Sequence, residues 1–207
     1  MSKPVVAAFD FDGTLSRGIS GIRLYRHLLG RAGFVRMGLM HLPAAARYMM
    51  RWGDEAALRT FNRVVFAGRD AATVQREADR YRVEILPRHL IAESAGRLRE
   101  HLNQGHRCVI VSRGYELYLR PWAEALGVTD VLATRLTIGA DGRLTGEMPE
   151  PSCDSAAKRE RLFALLGPRE NYELHAYGDS PGDHEMLAAA DHAWMRGPGG
   201  FVHWPAS

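Results

Sequence analysis

Apolar residues run unbroken from Val5 to Phe9 and stop at Asp10, which predicts a short buried parallel strand with a turn at its carboxyl end. From about residue 21 to residue 100 the rhythm becomes helical. Ile22, Tyr25, Leu28 and Leu29, then Leu58, Phe61, Val64 and Val65, then Leu90, Ala95, Leu98 and Leu102 recur at three- and four-residue intervals. Breakers at Gly30, Gly33, Pro43, Gly53, Gly68 and Pro87 divide this stretch, with Asp54 and Asp70 placed as N-caps. Beyond Pro87 strands and helices alternate. A helix to residue 103 is followed by a strand over 107–112, a helix over 115–126, a strand over 131–136 and a helix over 156–166. A strand over 173–177, a helix over 181–190 and a strand over 192–195 complete the pattern. This order predicts an α/β fold, a doubly wound parallel sheet with a helical insertion after its first strand. Residues 137–148, with Ala140-Asp141-Gly142-Arg143 between β-prone flanks, read as a decorating hairpin.

Composition narrows the class. The chain has 207 residues, 46% hydrophobic and 25% charged, enough apolar material for a core and too much for a disordered chain. The net charge of +3 comes from scattered Arg rather than a basic tract with interleaved aromatics, so no nucleic-acid partner is expected. Cys108 and Cys153 form no CxxC or Cys/His spacing, which disfavours a disulfide framework or structural zinc and fits a reducing, cytoplasmic setting. The N-terminal apolar run is too short for a signal peptide. The nine His show no HExxH motif or close pair, and read as surface or hydrogen-bonded polar groups. Residues 34–50 are apolar but broken by Arg36, His41, Pro43 and Arg47. Such a segment is too interrupted to span a bilayer. With Arg36, Arg47, Arg51 and the nearby Trp52 it suits peripheral membrane contact. Oligomeric state leaves no mark in the sequence.

The chemistry is expected outside the carboxyl ends of the strands. Asp10 and Asp12 follow the first strand, Ser112 with Arg113 the second, Lys158 lies early in a later helix, and Gly178-Asp179-Ser180 with Asp183 follows the fourth. Cleaving a phosphate monoester requires an in-line nucleophile, positive charge on the equatorial oxygens and a proton for the departing alcohol. An ionised Asp10 attacks without a base and splits one hydrolysis into two steps. Asp12 then protonates the leaving group and later deprotonates water. Carboxylates clustered around a phosphate call for a hard cation, and Mg²⁺ takes oxygen ligands, here Asp10, Asp12 and Asp179. Lys158 and Ser112 bind phosphoryl oxygens, while Gly13 and Gly178 admit close backbone approach. Taken alone, Lys158 reads equally as a solvated helix charge and Asp183 as a first-turn acid favoured by the helix dipole. It is their occurrence together that points to catalysis.

At these residues the chain resembles the haloacid dehalogenase-like hydrolases. Phe9-Asp10-Phe11-Asp12-Gly13-Thr14-Leu15, Val109-Ile110-Val111-Ser112, Lys158 and Gly178-Asp179-Ser180-Pro181-Gly182-Asp183 match the family's four motifs in order. The resemblance implies a Rossmann-like core over 1–17 and 88–207, with a helical cap over 18–87. It implies Asp10 as nucleophile and Asp12 as acid and base. Gly13, Thr14, Ser112, Arg113 and Lys158 are then the expected phosphate binders. Mg²⁺ would be held by Asp10, Asp179 and the Asp12 backbone carbonyl, with Asp183 in support. Asp at position 12 is typical of phosphatase and phosphomutase members and argues against dehalogenase chemistry. The insertion resembles the small cap of the phosphoserine-phosphatase-like branch, subfamily IB, which also includes phosphatidylglycerophosphatases. Phosphoserine phosphatases carry a Glu shortly after the first motif for the substrate amine, and residues 16–21 contain no acid. The expected substrate is therefore a small-molecule or lipid phosphate monoester other than phosphoserine. A phosphotransferase and a non-catalytic binding protein of the same fold are the alternatives.

Overall fold

The computed structural model describes residues 3–204 apart from 51–53, with 49 and 50 described in backbone only; Arg51 and Trp52 lie outside the described residues. Six strands form one sheet in the order β3-β2-β1-β4-β5-β6. They are β1 (Val5–Phe9), β2 (Arg107–Tyr115), β3 (Asp130–Thr134), β4 (Glu173–Gly178), β5 (His192–Gly197) and β6 (Gly200–His203). The first five pair in parallel, and β6 returns antiparallel along β5. Ala8 of β1 faces Val109 on one side and Ala176 on the other, so β1 is the centre of the sheet. Its unbroken apolar run follows from having both faces covered.

Alternation of side chains divides the interior into two layers. Ala7, Phe9, Cys108 and Ile110 pack with α1 (Ser20–Met40), α3 (Glu55–Phe66), α4 (Ala71–Glu84), α5 (Ala92–Asn103) and α6 (Glu116–Glu124). Val6, Ala8, Val109, Leu174 and Ala176 pack on the opposite face with α7 (Ala156–Leu166) and α8 (His184–Ala188). The helical insertion thus shares one continuous apolar core with the sheet. Asp54 and Asp70 cap α3 and α4 by accepting from Ala57 N and Thr73 N, as their positions predicted. Gly30, at φ 67°, kinks α1 rather than ending it. Beyond the kink, α1 and α2 (Leu42–Met50) leave Val35, Leu39, Met40 and Leu42 exposed. No helix among the described residues is long and apolar enough to cross a membrane.

Several boundaries differ from those read in the sequence. β2 continues through a register shift to Tyr115, because the Thr134 hydroxyl donates to Arg113 O and ties the end of β3 to it. Residues 181–183 make a 3-10 turn ahead of a one-turn α8, the Asp183 carboxylate accepting from Ser180 N and Oγ. The sixth strand was not anticipated. Pro198 and Gly199 form a two-residue turn between Gly197 and Gly200, and four residues are too few to show a period.

Residues 137–148 form a loose hairpin held by bonds such as Gly139 N to Arg143 O, and its role is larger than decoration. Gly68 N donates to Leu144 O, Leu144 N to Arg69 O and Ala71 N to Gly142 O. Arg63 pairs with Glu147 at 2.6 Å, and Ser152 Oγ donates to Glu55 at 2.6 Å. The segment is therefore a strap binding α3 and α4 to the sheet. Inside, buried Asn62 of α3 accepts from the hydroxyls of Tyr25 (2.9 Å) and Tyr115 (2.5 Å), joining the insertion to the end of β2. Replacing Asn62 with Leu removes that shared acceptor and should destabilise the fold by about 1–3 kcal/mol in urea denaturation. An unchanged midpoint would show that the link adds nothing.

Candidate active site

The five parallel strands end along one edge, and the polar side chains converge there. Asp10 continues the ladder by donating its N–H to Tyr177 O and is 4% exposed. Lys158 reaches it from α7. Its Nζ lies 2.5 Å from Asp10 Oδ1 and 2.6 Å from Asp183 Oδ1, and all three groups are buried. The approach is set by Ser155, at φ 50° just before α7, whose N–H donates to Gly182 O and joins the helix start to the 181–183 turn. A non-glycine residue there carries strain of about 1–3 kcal/mol, which the surrounding bonds must hold.

Asp183 serves two structures at once. Its Oδ2 accepts from Asp179 N, Ser180 N and Ser180 Oγ, each at 3.1 Å, while Oδ1 faces Lys158. Two glycines make room for these acids. Gly13 has φ 90°, and a Cβ on it would lie 1.9 Å from Asp179 Oδ2. A Cβ on Gly178 would fall 2.5 Å from that of Asp183. Thr14 Oγ1 donates to Asp179 at 3.3 Å, so Gly13 and Thr14 both serve Asp179 here.

Asp12 stands apart from this cluster. Its Oδ1 accepts from the N–H of Ser20, the first residue of α1, at 2.9 Å. Asp10, Asp12, Ser112, Arg113, Lys158 and Ser180 line one small pocket of about 50 Å³. Buried Ser112 accepts from Gly114 N at 3.0 Å, and the Arg113 guanidinium lies over the Tyr48 ring with its Nε and Nη2 unpartnered. Arg113 Nη1 lies 3.8 Å from Asp154 Oδ2. The sequence marked Ile22 and Leu58 only as helical apolar positions, and did not mark Ile19, Tyr48 or Asp154 as part of this pocket. Ile22, Tyr48 and Leu58 lie on helices like any core residue, and Ile19 is an extended residue just ahead of α1, so no local signal set them apart.

Burial dominates the electrostatics. It raises the Asp10 carboxyl well above its usual value; the Lys158 ammonium opposes this, and Asp183 and Asp179 reinforce it. Burial raises Asp12 to about 6 against the Ser20 hydrogen bonds. It also raises Asp179 to about 6, helped by Asp183 and opposed by Lys158. For Lys158 burial acts downward, but Asp10 and Asp183 outweigh it and hold the ammonium charged. One cation thus faces three acids. Ligand oxygens of Asp10, Asp179 and Asp183 lie within 4.8 Å of one another, and the buried Asp10 Oδ2 has no partner. An all-oxygen donor set with an unsatisfied carboxylate oxygen fits a hard divalent cation such as Mg²⁺.

Residues 7–188 match the family model for haloacid dehalogenase-like hydrolases. The chain is 32% identical over 200 residues to the protein CicA of Caulobacter vibrioides, covering 94% of this chain and 86% of that one. It is 33% identical over 199 residues to a probable phosphatase of Mycobacterium tuberculosis, covering 93% and 68%. Among solved structures, a Bordetella pertussis protein of unknown function superposes with a TM-score of 0.79 at 22% identity, covering 93% and 89%. A phosphoserine phosphatase superposes with 0.63 at 22% identity, covering 93% and 85%. The chain belongs to the haloacid dehalogenase-like hydrolases.

Replacing Lys158 with Met leaves buried Asp10 and Asp183, and partly buried Asp179, without their ammonium. In metal-free buffer the variant should lose about 3–5 kcal/mol of unfolding free energy, the scale for breaking a buried ion pair. Urea denaturation in EDTA measures this, and wild-type stability would mean that the acids need no counter-charge.

Proposed function

We propose that this hydrolase cleaves phosphate monoesters through a phosphorylated Asp10. The observation that carries the reading is Lys158 bridging Asp10 and Asp183, beside Asp179, at the open end of the pocket that also holds Asp12, Ser112 and Arg113. The Asp10 carboxylate attacks phosphorus in line with the leaving oxygen, the phosphorus–oxygen ester bond breaks, and protonated Asp12 delivers its proton to the departing alcohol. Water then attacks the acyl phosphate, Asp12 takes the water proton, and inorganic phosphate leaves with Asp10 restored. Lys158, the Ser112 hydroxyl and the free donors of Arg113 hold the phosphoryl oxygens. Asp10, Asp179 and Asp183 would hold Mg²⁺, which supplies positive charge against the phosphoryl group. Residues 18–87 act as a cap whose inner wall, Ile19, Ile22, Tyr25, Tyr48 and Leu58, excludes water from the reaction.

Asp10→Asn should reduce phosphate release to background, and EDTA should do the same to the wild-type enzyme until Mg²⁺ is restored. Asp12→Asn should lose about 10²–10⁴-fold on an alkyl phosphate, with a smaller loss on an aryl phosphate whose leaving group needs no proton. Turnover retained by Asp10→Asn would overturn the mechanism. Transfer of phosphate to an added alcohol in place of water would move the assignment to a phosphotransferase.

A second cavity bears on the substrate. Ile22, Tyr25 and Tyr48 are shared between the catalytic pocket and a wholly apolar space of about 120 Å³, closed by Phe34, Met37, Gly38, Ala45 and Phe61. That is somewhat smaller than the roughly 150 Å³ engineered cavity that admits benzene. The space favours an alcohol with a short apolar arm, in keeping with the lipid-phosphate alternative, over the charged serine of phosphoserine. Across a series of n-alkyl phosphates, kcat/KM should rise by about 4-fold per methylene, the worth of about 0.8 kcal/mol each, until the space is filled. A flat series, or phosphoserine as the better substrate, would remove this reading.

A further inference from the structure

The end of β4 remote from Asp179 carries a group of side chains that the phosphatase chemistry does not use. Glu173 and His175 are two residues apart on β4 and point to one face, and His175 pairs in register with His192 of β5. Glu173 Oε1 lies 3.0 Å from His175 Nε2 and 3.1 Å from His192 Nε2, and ligand atoms of the three residues all lie within 4.8 Å of one another. A tetrahedral zinc ion with bonds of about 2.0–2.1 Å sets neighbouring ligand atoms about 3.3 Å apart. The carboxylate-to-imidazole spacings are close to that edge length before any ion is introduced.

The surroundings hold the donors in place. Trp194 packs against the rings of both His175 and His192, and the two imidazoles contact each other at a centroid distance of 4.7 Å. The ring of His106, the residue before β2, has its centroid 6.4 Å from that of His175. Burial, above all, draws the His175 imidazole below its ordinary value, and the Glu173 hydrogen bond opposes it. His192 is half exposed, which leaves the ligand atoms accessible from solvent.

We propose that Glu173, His175 and His192 form a binding site for a divalent transition-metal ion such as Zn²⁺, separate from the catalytic acids and fastening β4 to β5. Two imidazoles and one carboxylate suit zinc and its neighbours, whereas the all-oxygen catalytic cluster suits Mg²⁺. The two sites are thereby chemically sorted: two imidazoles with one carboxylate at one end of β4, carboxylates alone at the other.

Untagged protein, stripped with EDTA and dialysed into buffer with excess Mg²⁺ to occupy the catalytic acids, is titrated with Zn²⁺ by calorimetry. One Zn²⁺ per chain with a dissociation constant on the order of 1 μM or tighter is expected. His192→Ala and Glu173→Gln, each verified as folded by circular dichroism, should each weaken binding by more than about 10-fold, the least that loss of even an outer partner of a metal costs. Co²⁺ in place of Zn²⁺ should give a visible absorption band that the same variants lose. Absence of saturable Zn²⁺ binding below about 100 μM would overturn the proposal, leaving Glu173 as a shared hydrogen-bond acceptor. So would binding of equal strength in both variants.

Discussion

The constraint behind the active site is the confinement of three carboxylates, two of them buried and the third partly so. Asp10, Asp179 and Asp183 are brought together by backbone turns, and their mutual repulsion in a low-dielectric site has to be offset by nearby positive charge. Lys158 supplies the one fixed positive charge that touches two of them. Much of the local backbone follows from this demand. The Ser155 turn aims α7, Gly13 and Gly178 yield space to carboxylates, and the 179–183 turn closes on the Asp183 oxygens. The same confinement creates reactivity. Acids lifted by burial respond strongly to any positive charge brought close, and a phosphatase depends on such a response.

Around that centre the fold separates rigidity from selectivity. The sheet fixes Asp10, Ser112 and Asp179 on neighbouring strand ends, where cross-strand bonds leave little freedom. The pocket walls come from helices inserted between β1 and β2, a part of the chain that can vary without disturbing the strand order. Such an arrangement would leave the insertion loose, and two devices hold it. The strap of residues 137–152 grips α3 and α4 from outside, and the Tyr25-Asn62-Tyr115 hydroxyl network ties α1 and α3 to the end of β2 from inside. Tyr25 and Tyr115 of the second also line the pocket.

The sequence was informative where short-range pattern and function coincide. The apolar run ending in Asp10 marks both a strand and the acid placed at its carboxyl end, so the two were legible together. Lys158 was legible only in company, because one Lys among Arg and Glu on a helix has no local mark of burial. Long-range pairing was not legible. The strap depends on Leu144 meeting Gly68 and Arg69 across more than seventy residues, and four-residue β6 is a strand only because β5 lies beside it. The histidines fail to reveal themselves for the same reason. His175 and His192 are seventeen apart in sequence, and parallel register makes them neighbours.

Parallel register also explains why one strand serves two kinds of chemistry. In β4 the residues alternate between faces, and the strand runs from Glu173 at one rim to Gly178 at the other. Its carboxyl end opens into a turn whose free N–H groups favour anionic side chains and substrates, as the Asp183 bonds to Asp179 N and Ser180 N illustrate. Its amino end presents side chains rather than free N–H groups toward β5, so ligands there must come from ring nitrogens and a carboxylate in register. Between the two lie buried Ala176 and Tyr177, the latter stacked on Phe9 and Trp194 with its hydroxyl 2.9 Å from His101 Nε2. The proposed hydrolysis draws on the carboxyl rim of β4 and the proposed ion on the amino rim, with Ala176 and Tyr177 packed between them.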